Sequence, residues 1–342
     1  MFGGSKSIVG LDIGSHSIKA VEVSRDGGGL DLTGVSQVRV NSPDRVVEAI
    51  QEAFAAGGFK TKRVITAVSG RAVIVRYVPI ANMPDEELRR AVSYEAEKYL
   101  PFDVDEVILD CQRVEDGTPA DAAGGQIKVL LVAVKRSVVD EHLAVVQQAG
   151  LTPVVIDCDY FALGNAWEAR VNRMSQDDEV VRALIDIGAA KTSINIIKGR
   201  TSHFTRDFYV AGNDLTEMIA KRFGEAPEDV ERMKEDPGEA QESMQEAFAG
   251  VLEDIGSEVR LSFDYYENQF DQQVEEVMLS GGSVIFPECD RMLSEVLGLE
   301  ARVWDPFEAL DTSTLGPQVS QLGNTTAGLA VAVGLGSRLA NM

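Results

Sequence analysis

The sequence predicts an α/β protein built from two similar halves, with a smaller unit inserted into the first of them. Three observations carry that expectation. Residues 8–23 read IVGLDIGSHSIKAVEV and residues 183–197 read ALIDIGAAKTSINII. Each has an apolar approach, then Asp-Ile-Gly, then small polar residues and a β-branched run. Residues 71–150 carry a separate strand-helix-strand-strand-helix pattern. The chain, at 342 residues, also exceeds one ordinary hydrophobic core.

In chain order, the first Asp-Ile-Gly segment reads as a hairpin whose first strand stops at an acidic residue and turns through glycine. Further β signal covers residues 30–40. Ser42-Pro43-Asp44 opens a helix over 45–56, Gly57-Gly58 ends it, and residues 64–68 form a strand. The opening is therefore β-β-β-α-β. A strand over 73–78 begins the second unit. Pro84-Asp85-Glu86-Glu87 starts a helix with Leu88, Val92, Ala96 and Tyr99 at helical spacing, stopped by Pro101. Strands over 107–114 and 127–134 flank a Gly/Ala/Asp-rich loop (115–126), and a helix covers 138–149. A strand over 154–156 and a helix over 160–170 return to the first half. A polar link, 172–179, leads to the second hairpin. From Gly238 a long helix runs towards Phe270, with Met244, Phe248, Val251, Ile255, Val259, Phe263 and Tyr266 on one face. A short strand (277–279) enters Ser280-Gly281-Gly282-Ser283, a helical segment covers 286–297, and residues 327–339 read as a buried helix of small residues. The expected subdomains are 1–70 with 151–179, the insertion 71–150, then 180–211 with 272–342, and 212–271.

Composition narrows the function. Apolar residues at 44% with 25% charged residues are those of a soluble globular protein. A formal net charge of −23 opposes general binding to nucleic acid or anionic membranes. It leaves room for a local phosphate site, which needs only a few backbone N–H groups and one lysine. Cys111, Cys158 and Cys289 show no metal spacing and suggest a reducing, cytosolic compartment. His16, His142 and His203 have no partner four residues on, which opposes a histidine metal site. Residues 1–6 lack the apolar core of a signal peptide, and the apolar stretch 327–335 is too short to span a bilayer.

The residues suited to chemistry cluster in four places. Asp12 ends its strand, Gly14 leaves the backbone open, Ser15, His16 and Ser17 form the turn, and Lys19 returns towards the tip. That set suits a nucleotide, with backbone N–H groups and Lys19 on phosphate and a carboxylate on hydrated Mg2+. An ordinary hairpin turn needs the same Asp and Gly. The second copy, Asp186-Ile187-Gly188, favours the ligand reading. Gly281 and Gly282 let the backbone lie flat against a base or phosphate, or merely turn a strand into a helix. Glu231 and Lys234 share a helix face, as a site pair or as a solvated ion pair. A P-loop, a GxGxxG fingerprint and a GxSxG elbow are all absent from the sequence.

Taken in order, these motifs resemble the actin-like ATPase superfamily, with its duplicated actin/RNase H-like nucleotide-binding fold, which includes actin, MreB, FtsA, the heat-shock chaperone ATPase domain and sugar kinases. DIGSHSIK resembles its first phosphate motif, which implies nucleotide contacts from Gly14, Ser15, His16 and Lys19 and a metal role for Asp12. DIGAAKTS resembles the second phosphate motif, implying Gly188, Ala189 and Thr192 on nucleotide and Asp186 on metal. LSGGSVIFPECDRM resembles the adenosine motif, with Gly281, Gly282 and Ser283. VERMK is similar to the Glu-x-x-Lys pair of the chaperone and FtsA branches, placing Glu231 and Lys234 at the nucleoside. IDCDYFALGNAW and TAGLAVAVGLGSR resemble the two hinge helices.

The block 71–150 decides the branch, because FtsA and its relatives insert a subdomain there. EAEKYLPFDVDEVILD and VAVKRSVVDEHLAVVQQAGL resemble the PilM family of type IV pilus assembly proteins. FtsA normally ends in an amphipathic membrane-targeting helix, and a sequence ending at Met342 fits the PilM family better. The resemblance implies an ATP- and Mg2+-binding cytoplasmic scaffold, recruited to the inner face of the inner membrane. It would dock the cytoplasmic N-terminal peptide of PilN between the first subdomain and the inserted one. Through PilN and PilO it would connect to the assembly ATPase (PilB) and the platform protein (PilC). Tyr99, Pro101 and Phe102 are the expected docking residues, a helix stop with aromatic packing being the alternative. Where actin has a catalytic Gln and the chaperones a Glu, this sequence offers Asp157, Asp159 and Tyr160. Asp159 is the best candidate, and its short reach implies slow hydrolysis or a nucleotide that serves as ligand or switch. An FtsA-like filament protein and a small-molecule kinase remain as alternatives.

Overall fold

Two five-stranded sheets repeat a single strand order in this computed structural model, which describes residues 6–26, 29–114, 125–175, 179–235 and 237–342. The loop expected over 115–126 and the link over 172–179 lie wholly or partly outside these residues. The chain divides into two compact units, Met1–Ala67 with Ala149–Met342, and Val68–Gln148.

The larger unit opens with β1 (Lys6–Ile13), β2 (Ser17–Asp26) and β3 (Gly29–Arg39), then α1 (Val46–Gly57) and β4 (Arg63–Val68). The chain then passes through the smaller unit: β5 (Val73–Ala81), α2 (Asp85–Ala96), β6 (Val107–Arg113), β7 (Gln126–Lys135) and α3 (Arg136–Gln148). It re-enters with β8 (Thr152–Cys158) and α4 (Asp159–Met174). The second half follows as β9 (Val181–Ile187), β10 (Thr192–Lys198), β11 (Thr201–Phe208), α5 (Gly212–Phe223), α6 (Pro227–Glu235) and α7 (Gln241–Phe270). β12 (Glu276–Ser280), α8 (Cys289–Leu297), β13 (Ala301–Val303), α9 (Gly316–Leu322) and α10 (Ala330–Ser337) complete it.

Sheet order is β3-β2-β1-β4-β8 in the first half and β11-β10-β9-β12-β13 in the second. In each, an antiparallel meander is extended by a parallel strand beside its first member. The duplication seen in two short motifs therefore extends through both sheets. In the smaller unit, antiparallel β5-β7-β6 packs against Leu88, Val92 and Ala96 of α2, whose spacing of four sets them on one face.

Differences from the sequence pattern have local causes. α2 stops at Ala96 and closes with the N–H groups of Tyr99 and Leu100 both donating to the Ala96 carbonyl. Pro101 disfavours helical geometry in the residue before it. The unanticipated β11 is an edge strand rich in polar residues, so it lacks an apolar alternation. Gly323–Leu329 form a tight 3₁₀ segment before α10, where a single helix was expected.

α10 is buried along its whole length, and small residues are the reason. A Cβ on Gly334 would fall inside the van der Waals envelope of the Ala162 carbonyl on α4. One on Gly10 of β1 would do the same to the Ala332 carbonyl. Trp167, Trp304, Leu163, Leu329 and Leu335 fill the surrounding core. On the other side of the second sheet, Met244, Phe248, Val251, Ile255, Val259 and Tyr266 of α7 are buried, as the helical spacing predicted.

Candidate functional site

Both hairpin tips are closed by the same hydrogen bond. The Gly14 N–H donates to the Ser17 carbonyl at 3.1 Å, and the Gly188 N–H donates to the Lys191 carbonyl at 3.0 Å. In the first tip, antiparallel register sets Asp12 opposite Lys19, and Lys19 Nζ donates to Asp12 Oδ2 at 3.2 Å. Ser15 is exposed at the turn, and the His16 carbonyl accepts the Val40 N–H at 2.8 Å. In the second tip, Asp186 stands opposite Ser193 on one side and Ser280 on the other, and Ser280 Oγ donates to Asp186 Oδ1 at 3.0 Å.

The two tips share one electrostatic environment. Burial opposes the Lys19 ammonium, but Asp12 and Asp186 outweigh it and raise its pKa. Burial also raises the Asp186 carboxyl, helped by Asp12 and opposed by Lys19. One cation thus sits in the field of two carboxylates, Asp12 and Asp186. Among the described residues no three metal-ligating side chains converge. Mg2+ is commonly held by one or two carboxylates with waters and phosphate oxygens, so Asp12 and Asp186 suffice for that chemistry.

Around the second tip the backbone is tied to two glycine turns. The Gly188 carbonyl accepts Ser283 Oγ at 2.8 Å and the Gly212 N–H at 3.0 Å, and the Ala189 carbonyl accepts the Asn213 N–H at 2.7 Å. Gly281 has φ of 102°, and a Cβ there would strike the Ile187 backbone, so only glycine suits the position. At Gly282 a Cβ would meet nothing, which leaves that backbone open to an incoming group. Thr192 is fully buried, and its hydroxyl donates to the Val210 carbonyl at 2.8 Å, away from the open face.

Glu231 and Lys234 lie on α6 as one cluster with Thr216 of α5. Lys234 Nζ donates to Glu231 Oε1 at 2.8 Å and to Thr216 Oγ1 at 3.0 Å, while Thr216 Oγ1 also donates to Glu231. His16 Nε2 is 4.0 Å from Glu231 Oε2, which brings the first tip to this cluster. Burial lowers the His16 pKa against the pull of Glu231, which favours the neutral imidazole at neutral pH. Beside the cluster is a cavity of about 520 Å³ lined by Asn213, Thr216, Ala220 and Pro227.

The two candidate acids behave differently. Asp157 is buried, pairs with Arg338 near the chain's end and accepts from Asn165 Nδ2 at 3.2 Å. Asp159, the first residue of α4, pairs instead with Lys191 of the second tip. Lys191 was not among the residues singled out by sequence, although it stands inside DIGAAKTS. Its Nζ also donates to Ser193 Oγ at 2.8 Å and Asp207 Oδ2 at 3.3 Å. Burial, reinforced by Asp207 and Asp186, pushes the Asp159 carboxyl above the ordinary range despite Lys191. A carboxyl raised in the folded state adds stability below its unfolded pKa, and that contribution is lost as pH climbs through the raised value. Asp159→Asn will therefore flatten the fall of unfolding free energy across that window, read by urea denaturation at a series of pH values. An unchanged slope would place Asp159 in solvent-like surroundings.

In the smaller unit, Tyr99 packs against the core of that unit, Pro101 is exposed, and Lys135 Nζ lies 4.1 Å above the Phe102 ring.

Duplicated sheets of one order, with an acid-glycine hairpin tip in each, define a protein of the actin-like ATPase fold. MreB 5 of Spiroplasma citri bound to AMPPNP shares that fold, with a TM-score of 0.53 at 11% identity, covering 96% of this chain and 94% of that one. Cell division protein FtsA of Bacillus subtilis (strain 168) is 24% identical over 354 residues, covering 87% of this chain and 78% of FtsA. A family model for the type IV pilus assembly protein PilM matches residues 10–339, and the chain belongs to that family. A solved PilM-PilN type IV pilus biogenesis complex gives a TM-score of 0.84 at 29% identity, covering 97% of this chain and 98% of that one.

Proposed function

We propose that this protein is an adenine-nucleotide-binding scaffold of type IV pilus assembly that docks the cytoplasmic N-terminal peptide of a PilN partner. The observation that supports it most is the 29% identity, over nearly the full length, to a PilM solved with PilN. Support for the ligand comes from the site itself. Lys19 and the tip N–H groups other than those of Gly14 and Gly188, which close the turns, suit phosphate oxygens, and Asp12 and Asp186 suit Mg2+. The open backbone at Gly282 and the neighbouring cavity suit a planar base and ribose, with Glu231 and Lys234 as polar contacts. Bound Mg2+ would supply charge neutralisation for the phosphates. The chain's own groups would orient them.

No described helix is long and apolar enough to cross a membrane. Recruitment to the inner face of the inner membrane would run through PilN, and PilO, the assembly ATPase PilB and the platform protein PilC would be reached through it. Nucleotide is the ligand that sets the scaffold's state, with slow turnover.

Calorimetry with a synthetic PilN N-terminal peptide tests the partner. Phe102→Ala is expected to weaken the peptide about fivefold or more, the loss of roughly 1 kcal/mol typical of an interface contact. Binding of ATP with Mg2+ should stay at the wild-type value. Equal peptide affinity would exclude residues 99–102 as the docking surface.

A further inference from the structure

Lys191 has no part in the nucleotide reading, yet it makes as many hydrogen bonds as Lys234, which has one. It reaches Asp159, Ser193 and Asp207 from the second hairpin tip. All of these groups are sequestered: the side chains of Lys191, Asp159 and Asp207 are 19%, 12% and 11% exposed. Asp207 Oδ1 is a buried acceptor without a hydrogen-bond partner. The cluster therefore holds two carboxylates for one ammonium, with Asp186 in electrostatic reach of both Asp159 and Lys191. Asp159 begins α4, at the end of β8, and so presents a carboxylate beside the acids of the cleft. Held this way, Asp159 keeps Oδ2 on Lys191, so a water approaching that oxygen competes with the ammonium. Its other oxygen, Oδ1, accepts the Tyr160 N–H at 2.8 Å.

We propose that Lys191 is a positioning residue that restrains hydrolysis, by holding Asp159 in an ion pair and so keeping that carboxylate from a bound water. This rests on the nucleotide reading above. In the restrained reaction a water oxygen bonds to the γ-phosphorus while the bond to the β,γ-bridging oxygen breaks. ADP leaves with the bonding pair, and the water proton passes to Asp159 and on to solvent. Asp207 offers Lys191 a second acceptor, so release of Asp159 does not strand the ammonium.

Single-turnover phosphate release from ATP with Mg2+ tests this, beside binding of a fluorescent ATP analogue. Lys191→Met should raise the rate about tenfold or more, against the roughly 10²–10⁴-fold that a positioned base contributes. Analogue affinity should change less than about threefold. Lys191→Arg, which keeps the charge, should restore the restraint, and Asp159→Asn in the Lys191→Met background should abolish the gain. Removing a buried cation alone can unfold the chain, so Lys191→Met with Asp207→Asn, which removes one charge of each sign, is run in parallel. A folded, nucleotide-binding variant that releases phosphate at the wild-type rate overturns the restraint. A gain that survives Asp159→Asn overturns the role of Asp159. Failure of the wild-type protein itself to bind the analogue would instead overturn the nucleotide reading.

Discussion

Gly334→Ala will destabilise the fold by about 3 kcal/mol, the upper range for forcing extra volume into a packed interior. The added methyl would occupy the space of the Ala162 carbonyl, a backbone atom that cannot rotate away. α10 and α4 would have to separate, and Leu163, Ala166, Leu329 and Leu335 would lose contacts around the seam. For a chain of this size the change corresponds to a fall in melting temperature of roughly 4 °C. Gly316→Ala is the control, because a Cβ there meets nothing, and its effect should stay within about 0.5 kcal/mol. Calorimetric melting of both variants checks the pair. A Gly334→Ala protein that melts with wild type would mean the two helices do not approach as closely as described.

Lys19→Ala will weaken nucleotide binding by about 1.5–3 kcal/mol, or roughly 10- to 150-fold, the range of a charge-assisted hydrogen bond to phosphate. Its ammonium is largely buried, donates to Asp12 and lies in the field of Asp186, so its interaction with a ligand at the tips is weakly screened. The variant would also leave two half-buried carboxylates without their cation, and its Mg2+ dependence should steepen. Titration of ATP at fixed Mg2+, with the melting temperature recorded beside it, separates lost binding from lost fold. Wild-type affinity in a folded variant would remove Lys19 from the site.

Much of the architecture was legible because it is written in local pattern. Asp-Ile-Gly followed by small polar residues reports a hairpin tip wherever it occurs, and its repetition reports two halves. The spacing of Met244, Phe248, Val251, Ile255 and Val259 reports a helix face without any knowledge of what it covers. β11 was not legible, since its two apolar residues, Phe204 and Phe208, stand four apart among Thr, Ser, His, Arg and Asp and give no alternation of period two. The end of α2 was misplaced by three residues because Tyr99 keeps the helical spacing after the helix itself has stopped.

The sequence by itself determined the duplicated sheets, the inserted unit, the family and the residue types at both tips, all properties of neighbours along the chain. Only the tertiary structure decided which charges meet. Asp157 and Asp159 are two residues apart, yet one pairs with Arg338 and the other with Lys191. Two residues apart in a continuing strand, they would share a face. Asp157 lies in β8 but Asp159 opens α4, and the change of backbone geometry sends the two side chains to different partners. His16 likewise reaches Glu231 from another element. Ion pairs of this kind depend on distance and desolvation in three dimensions, and neither is encoded in local spacing.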